Sequence, residues 1–181
     1  MSLFSQKGDT LSNKIFRDKS IIALPVVFRF PETGWGGGVA GTASWTWAKD
    51  SLGSKPSQGS LGLTFTQNKQ VLAFFPFQVF FGNNKYFVNA DIGWYKYNYF
   101  YFGIGENTLP QERYDVKYPR VKLLFGKQLN SSIYGGFRIN YEEYNITGTE
   151  EGGELSLGII NGSQYSRTAA IGPAIMRDTR D

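Results

Sequence analysis

The residues with the clearest potential for chemistry are two pairs of adjacent carboxylates, Glu142–Glu143 and Glu150–Glu151. Glycoside hydrolysis uses two convergent carboxylates, one as acid and the other as base or nucleophile. The first pair falls at the predicted end of a strand and the second in a predicted polar loop. Solvated charge is the ordinary interpretation of acids in both places. We therefore expect no catalytic residue here and predict that the chain is not an enzyme.

A glycine-rich stretch at residues 36–41 matches the glycine spacing of dinucleotide-binding loops. In such loops a strand precedes the glycines and a helix follows them, so that the helix N-terminus meets the pyrophosphate. Residues 42–47 instead continue the alternating pattern of a strand. A glycine-lined kink within a strand is therefore the favoured interpretation, and no cofactor is predicted.

The composition excludes several other kinds of site. The chain has no Cys and no His, which removes disulfides, thiolate metal sites and His-dependent catalysis. No Gly-x-Ser-x-Gly elbow occurs, so the usual serine-hydrolase nucleophile is missing. The net charge of +4 is dispersed, and its densest cluster, Lys14, Arg17 and Lys19, has no interleaved aromatic residues. We predict neither a metal site nor nucleic-acid binding.

The dominant pattern of the chain is a two-residue alternation, which is clearest at residues 133–142. Ile133, Phe137, Ile139 and Tyr141 share one side with a glycine, and polar residues occupy most of the other. Successive side chains of a strand point to opposite faces. This stretch is therefore predicted to be a strand with one apolar and one polar face.

The same alternation recurs along the chain and predicts an all-β fold of about eight or nine strands without helices. The predicted strands are 24–30, 39–47, 60–66, 71–81, 86–95 with an aromatic continuation to 102, 120–126, 133–142, 155–159 and 168–176. Predicted loops are 50–58, 106–116 and 147–153, and predicted turns are 31–34, 68–69, 83–84, 130–131 and 161–163. Together they form one predicted domain at residues 21–181, which follows a flexible polar arm at 1–20.

Three features favour an antiparallel transmembrane β-barrel over a soluble one. The predicted inner faces are rich in Gly, Ser and Thr, as a crowded interior requires. The apolar faces carry large residues. Tyr and Trp gather near strand ends, where an interfacial belt would fall. The large apolar residues are Trp47, Phe65, Phe75, Phe77 and Phe125, and the belt residues are Trp35, Trp45, Trp47, Trp94, Tyr95, Tyr97, Tyr99 and Tyr101.

Charged residues are also placed on the polar faces of neighbouring predicted strands. They are Arg120, Lys122, Arg138 and Glu142. In a membrane barrel this face lines the lumen, where opposite charges pair across strands. These residues could form a selectivity patch, or they could simply fill a narrow lumen.

Several short motifs, in order, resemble the bacterial surface antigen family, the barrel domains of BamA- and TamA-like outer-membrane proteins. They lie at residues 31–38, 68–70, 76–78, 83–85, 101–107 and 178–181, and include Gly103, Gly105, Asp178, Arg180 and Asp181. The resemblance covers roughly residues 25–181. In that family the last motif lies inside the barrel with several strands after it. The resemblance therefore implies the N-terminal part of a larger barrel.

The resemblance also implies a location in the outer membrane of a Gram-negative bacterium. It implies a role in envelope biogenesis or in protein or lipid transport, with outer-membrane lipid as a partner and with envelope-assembly or client proteins as further partners. Two alternatives stay open. One is a soluble lipid-binding β-barrel with its apolar face inward. The other is the barrel anchor of a patatin-like phospholipase whose catalytic domain lies outside this chain.

Overall fold

The computed structural model describes residues 19–47, 54–105 and 111–178. This part of the chain forms β1 (Ser20–Phe30), β2 (Gly34–Trp45), β3 (Ser57–Thr66), β4 (Val71–Phe81), β5 (Tyr86–Tyr101), β6 (Glu112–Asn130), β7 (Ile133–Thr149) and β8 (Tyr165–Arg177). Residues 1–18 of the predicted arm lie outside the described residues, and β1 already includes Ser20. The described residues contain no helix that is both long and apolar enough to cross a membrane.

The strands form one antiparallel sheet in which each strand pairs with its neighbours in sequence, in the order β1 to β8. The predicted all-β fold is confirmed for the described residues. Strands β1 and β8 each pair with a single neighbour, so the sheet is not closed into a barrel. Closure of the predicted barrel therefore stays a prediction.

Turn chemistry explains the tight connections. The predicted turn at Asn83 and Asn84 is confirmed, and both residues have positive φ, at 56° and 66°. Asn tolerates this left-handed region better than most residues, which lets β4 and β5 form a hairpin with Phe81 opposite Tyr86. We call the strand ends that are joined by this hairpin and by the 131–132 turn the turn end of the sheet. The opposite strand ends, which are joined by the 102–111 and 150–164 connections, form the loop end.

The sheet is strongly curved. The rings of Phe80 on β4 and Tyr134 on β7 lie 6.3 Å apart, and both contact the ring of Phe87 on β5. Three strand spacings in a flat sheet would separate β4 from β7 by about 14 Å. We call the face that carries these three rings the concave face and the other the convex face.

Close backbone contact on the concave face is possible only at certain glycines. A Cβ built on Gly136 would lie 1.8 Å from the carbonyl oxygen of Phe125, and one built on Gly38 would lie 2.0 Å from the carbonyl oxygen of Leu63. No side chain fits at either place. Glycine therefore permits the curvature at β2 and at β7.

Two sequence predictions are wrong. The predicted loop 106–116 ends too late, because β6 begins at Glu112 and its first half packs Tyr114 and Val116 beside other concave tyrosines. The predicted strand 155–159 is a series of turns, closed by hydrogen bonds from Leu157 N to Gly153 O and from Gly158 N to Leu155 O. The left-handed φ of Gly158, +68°, does not fit a strand.

Smaller differences concern the ends of elements. Strand β7 continues to Thr149 and so absorbs the start of the predicted loop 147–153, and β3 begins one residue before the predicted loop 50–58 ends. The predicted turn 161–163 contains left-handed Gly162, but turns rather than a strand precede it. Strand ends are the least constrained part of an alternation pattern, because the last residues contribute few pairs.

Candidate functional site

Cross-strand register brings the predicted charged residues together on the concave face. Lys122 lies opposite Asn140, and Arg120 lies opposite Glu142. The ion pairs form diagonally, between Lys122 Nζ and Glu142 Oε1 at 2.8 Å and between Arg120 Nη2 and Asp91 Oδ2 at 2.8 Å. Cross-strand pairing of opposite charges is thus present at this position of the sheet.

Arg120 is the most connected member of this set. Its Nη2 also donates a hydrogen bond to the Tyr95 hydroxyl at 2.9 Å, and its guanidinium carbon lies 4.9 Å from the Tyr95 ring centroid. Its Nε is buried and has no hydrogen-bond partner among the described residues. The planar guanidinium therefore contacts a carboxylate and an aromatic ring at the same time.

Arg138 differs from the other three predicted residues. It is exposed, its Nε donates to Asn140 Oδ1 at 3.2 Å, and no salt bridge joins it to a described residue. We call Asp91, Arg120, Lys122, Arg138 and Glu142 the concave charge cluster. The cluster has one more cation than anions, and Arg138 is the cation left over. Asp91 is not among the charged residues predicted from the sequence, although the alternation around it places it on the polar face.

The adjacent glutamates do not form a catalytic pair. Glu142 is on the concave face with Lys122, whereas Glu143 is on the convex face, where Arg167 Nη2 lies 3.1 Å from its Oε2 and the Tyr141 hydroxyl donates to it. Successive residues of a strand alternate in direction, which separates the two carboxylates. Gly36 lies within β2, opposite Phe28, rather than at the start of a helix. Neither arrangement has the geometry that its sequence motif would require.

Tyrosines fill the concave face towards the loop end. The rings of Tyr95 and Tyr118 stack at 4.8 Å, as do those of Tyr118 and Tyr144. The hydroxyls of Tyr99 and Tyr118 are 3.1 Å apart. The prediction that Tyr95, Tyr97, Tyr99 and Tyr101 belong to an outward-facing belt is wrong, because these odd positions of β5 share the face of Asp91. Trp94, one residue away, is on the convex face.

The turn end is held together across the concave face. Lys55 Nζ, just before β3, lies 2.8 Å from Asp178 Oδ2, just after β8. Asp178 is buried, and its backbone N–H donates to Ser132 O at 2.8 Å. The Tyr134 hydroxyl donates to Asn84 O at 3.0 Å. These contacts fix Asp178 at the turn end.

The motif residues of the resemblance do not form one site. Gly103 and Gly105 follow β5 at the loop end, with φ of +94° and +89°. Asp178 is at the turn end, so the sheet separates it from these glycines. Arg180 and Asp181 lie outside the described residues. Left-handed φ at both glycines accounts for their residue type by backbone geometry.

A buried glutamate anchors the 150–164 connection at the loop end. Glu112 Oε2 accepts a hydrogen bond from Leu155 N at 3.3 Å, and the Leu155 side chain is buried. The Tyr101 hydroxyl donates to Glu154 Oε2 at 3.1 Å. Desolvation, and then this hydrogen bond to a carboxylate, raise the pKa of Tyr101. The sequence does not predict this anchor, because Glu112 falls in a predicted loop.

The convex face is an apolar surface. Its large side chains are exposed on most of the strands, for example Phe65 at 54 %, Ile171 at 75 % and Ile175 at 81 %. On β6 its apolar positions run from residue 119 to 125 and end at Lys117 and Lys127. The apolar positions form a band that covers about 20 Å of strand, and the two lysines that flank it are about 33 Å apart along it.

Comparisons with known proteins identify no relative of this chain. No family model, no curated protein and no solved structure matches it.

Proposed function

We propose that this chain forms part of the wall of an outer-membrane β-barrel, with the convex face against lipid and the concave charge cluster lining the lumen. The observation that carries the proposal is the sorting of side chains between the two faces. Outside β1, which also exposes Ile22 and Leu24 on the concave face, the large exposed apolar residues of the strands lie on the convex face. The ion pairs of Arg120 and Lys122 lie on the concave face. A soluble lipid-binding barrel would need the opposite arrangement.

Aromatic and charged residues at the rims of the apolar band support the same proposal. Trp45 and Trp47 lie at the turn end, and Trp35 and Trp94 lie towards the loop end. Arg29 stands over the Trp35 ring at 5.6 Å. Tryptophan with nearby basic residues is typical of a membrane–water interface.

The broader role that we propose is a non-catalytic one in envelope biogenesis or in protein or lipid transport. Its support is the sequence resemblance to the bacterial surface antigen family, together with a polar concave face that suits a water-filled interior. The open edges of β1 and β8 must also find partners if the sheet is to lie in a membrane. In lipid each unpaired backbone group costs several kcal/mol, so a membrane barrel needs these edges to be paired.

The first test is refolding of the full chain with and without detergent, followed by electrophoresis of unboiled and boiled samples. A compact, heat-modifiable band that forms only with detergent is the expected result. A folded monomer in detergent-free buffer would overturn the membrane proposal. Aggregation under both conditions would mean that these strands do not close without further strands to pair their edges.

A matched pair of substitutions on β8 tests which face contacts lipid. In vesicles, I171R on the convex face should cost about 2–4 kcal/mol of unfolding free energy, because it puts a charge into the apolar band. A170R, one residue away on the concave face, should cost much less. In a soluble protein the exposed Ile171 would accept arginine with little effect, so equal and small costs would contradict the proposed orientation of the faces.

A further inference from the structure

An apolar groove crosses β1, β2 and β3 on the convex face near the turn end. It has a volume of about 370 Å³. Small residues from the three strands form its floor because the register aligns Ala23 with Gly41, and Ala43 with Gly59. Larger side chains form its walls, namely Ile21, Trp45, Leu61 and Phe75.

The groove continues to the rim of the apolar band. A second cavity of about 420 Å³ shares Ile21, Ala43 and Trp45 with the first and adds Trp47 and Lys19. The two indole rings meet edge to face, with centroids 6.3 Å apart. Lys19 is exposed and forms no salt bridge with a described residue. The apolar floor therefore leads to two tryptophans and one cation.

We propose that this groove binds a single anionic phospholipid, with an acyl chain along the small-residue floor and the phosphate beside Lys19. The proposal rests on the proposed function, because it needs the convex face to contact a membrane. Charge complementarity selects the occupant. The described residues that line the two cavities carry a single charge, the Lys19 ammonium, and it lies at the end where a headgroup would sit. Tryptophan rings at that level suit the interface between acyl chains and headgroups.

Tryptophan quenching by brominated lipids tests the proposal on the full chain in zwitterionic vesicles. The variant W35F/W94F keeps the groove tryptophans, and W45F/W47F keeps the two outside the groove. A small fraction of brominated phosphatidylglycerol should quench the first variant more than the same fraction of brominated phosphatidylcholine does. The second variant should respond equally to both lipids, because bulk lipid covers Trp35 and Trp94.

Substitutions in the W35F/W94F background separate the headgroup contact from the acyl-chain contact. K19Q should lower the preference for the anionic lipid about fivefold, the factor that corresponds to ~1 kcal/mol for one cation. K127Q, a convex lysine at the same end but outside the groove, should leave the preference unchanged. A43L fills the floor and should reduce quenching by both lipids, whereas A169L on β8 should not.

The outcomes separate the two proposals. Equal quenching of all tryptophans by both lipids would overturn the groove and leave the membrane proposal standing. Absence of quenching in every variant would overturn both. A second copy of the chain covers the groove if quenching of Trp45 decreases as the protein-to-lipid ratio rises and if two chains can be chemically cross-linked. This result would also overturn the lipid site.

Discussion

Arg120 illustrates, at the scale of the residue, how one side chain joins the charged and the aromatic parts of the concave face. It contacts both Asp91 and Tyr95, whereas Arg138 contacts only Asn140 among the described residues. The difference between two arginines on neighbouring strands is therefore one of partners, not of residue type.

We expect R120Q to lower the unfolding free energy by about 1–2 kcal/mol, after a discount for its partly exposed partner Asp91. R138Q should change it by at most ~0.5 kcal/mol. Urea unfolding followed by tryptophan fluorescence in vesicles measures both. Equal effects of the two substitutions would mean that the extra contacts of Arg120 contribute nothing.

Gly136 is a second single residue on which the fold depends, because its missing Cβ makes room for a backbone carbonyl. G136A should prevent folding or cost about 3 kcal/mol or more, since the obstacle is the carbonyl oxygen of Phe125 rather than a flexible side chain. G172A is the control, because nothing lies within 4 Å of a Cβ built there. Refolding yield and urea midpoints of the two variants compare them, and a well-folded G136A would contradict the proposed role of this glycine in the curvature.

The 150–164 connection shows, at the scale of the element, how one buried carboxylate orders a segment without regular structure. Glu112 accepts the N–H of Leu155 and lies beneath the turns that follow β7. Segments with few such anchors open more readily than the strands that they join.

We expect E112A to speed cleavage within this connection by proteinase K several-fold, because the anchoring hydrogen bond is lost. E150A, at an exposed glutamate of the same connection, should leave the rate unchanged. Mass spectrometry of the first fragments locates the cut. Unchanged cleavage of E112A would mean that burial of Leu155 alone holds the segment.

The features of the strands that the sequence predicts correctly are those that depend on neighbouring residues alone. Alternation fixes which side chains share a face, so the grouping of Arg120, Lys122 and Glu142 followed from parity alone. It failed at residues 155–159, because Leu155, Leu157 and Ile159 alternate like a strand although Gly158 has left-handed φ. Alternation also cannot tell the concave from the convex face, because it assigns side chains to two faces without showing which way the sheet bends.

Curvature is a property of the whole molecule, and the ion pair between Lys55 and Asp178 shows how far the sheet bends. These residues are 123 positions apart and belong to opposite sides of six strands. Five strand spacings in a flat sheet would separate them by about 24 Å. No pattern within a short window of sequence could have predicted such a contact.

Zero-length cross-linking with a carbodiimide measures this curvature directly. In the folded chain we expect an amide bond between Lys55 and Asp178, because the amine and the carboxylate are already in contact. K55Q should abolish the cross-linked peptide, and urea should remove it from the unmodified chain. Failure to form it in folded protein would show that the sheet is flatter than described.

The order of the strands has a consequence for how the chain folds. Every strand pairs only with its neighbours in sequence, so each hairpin closes a short loop and needs no strand from elsewhere. Contact order is therefore low for an all-β protein, which favours rapid, stepwise zippering from any hairpin that forms first. The Lys55–Asp178 contact spans most of the chain and can form only after the strands between its partners have assembled. It should be the last native contact to appear and the first to be lost.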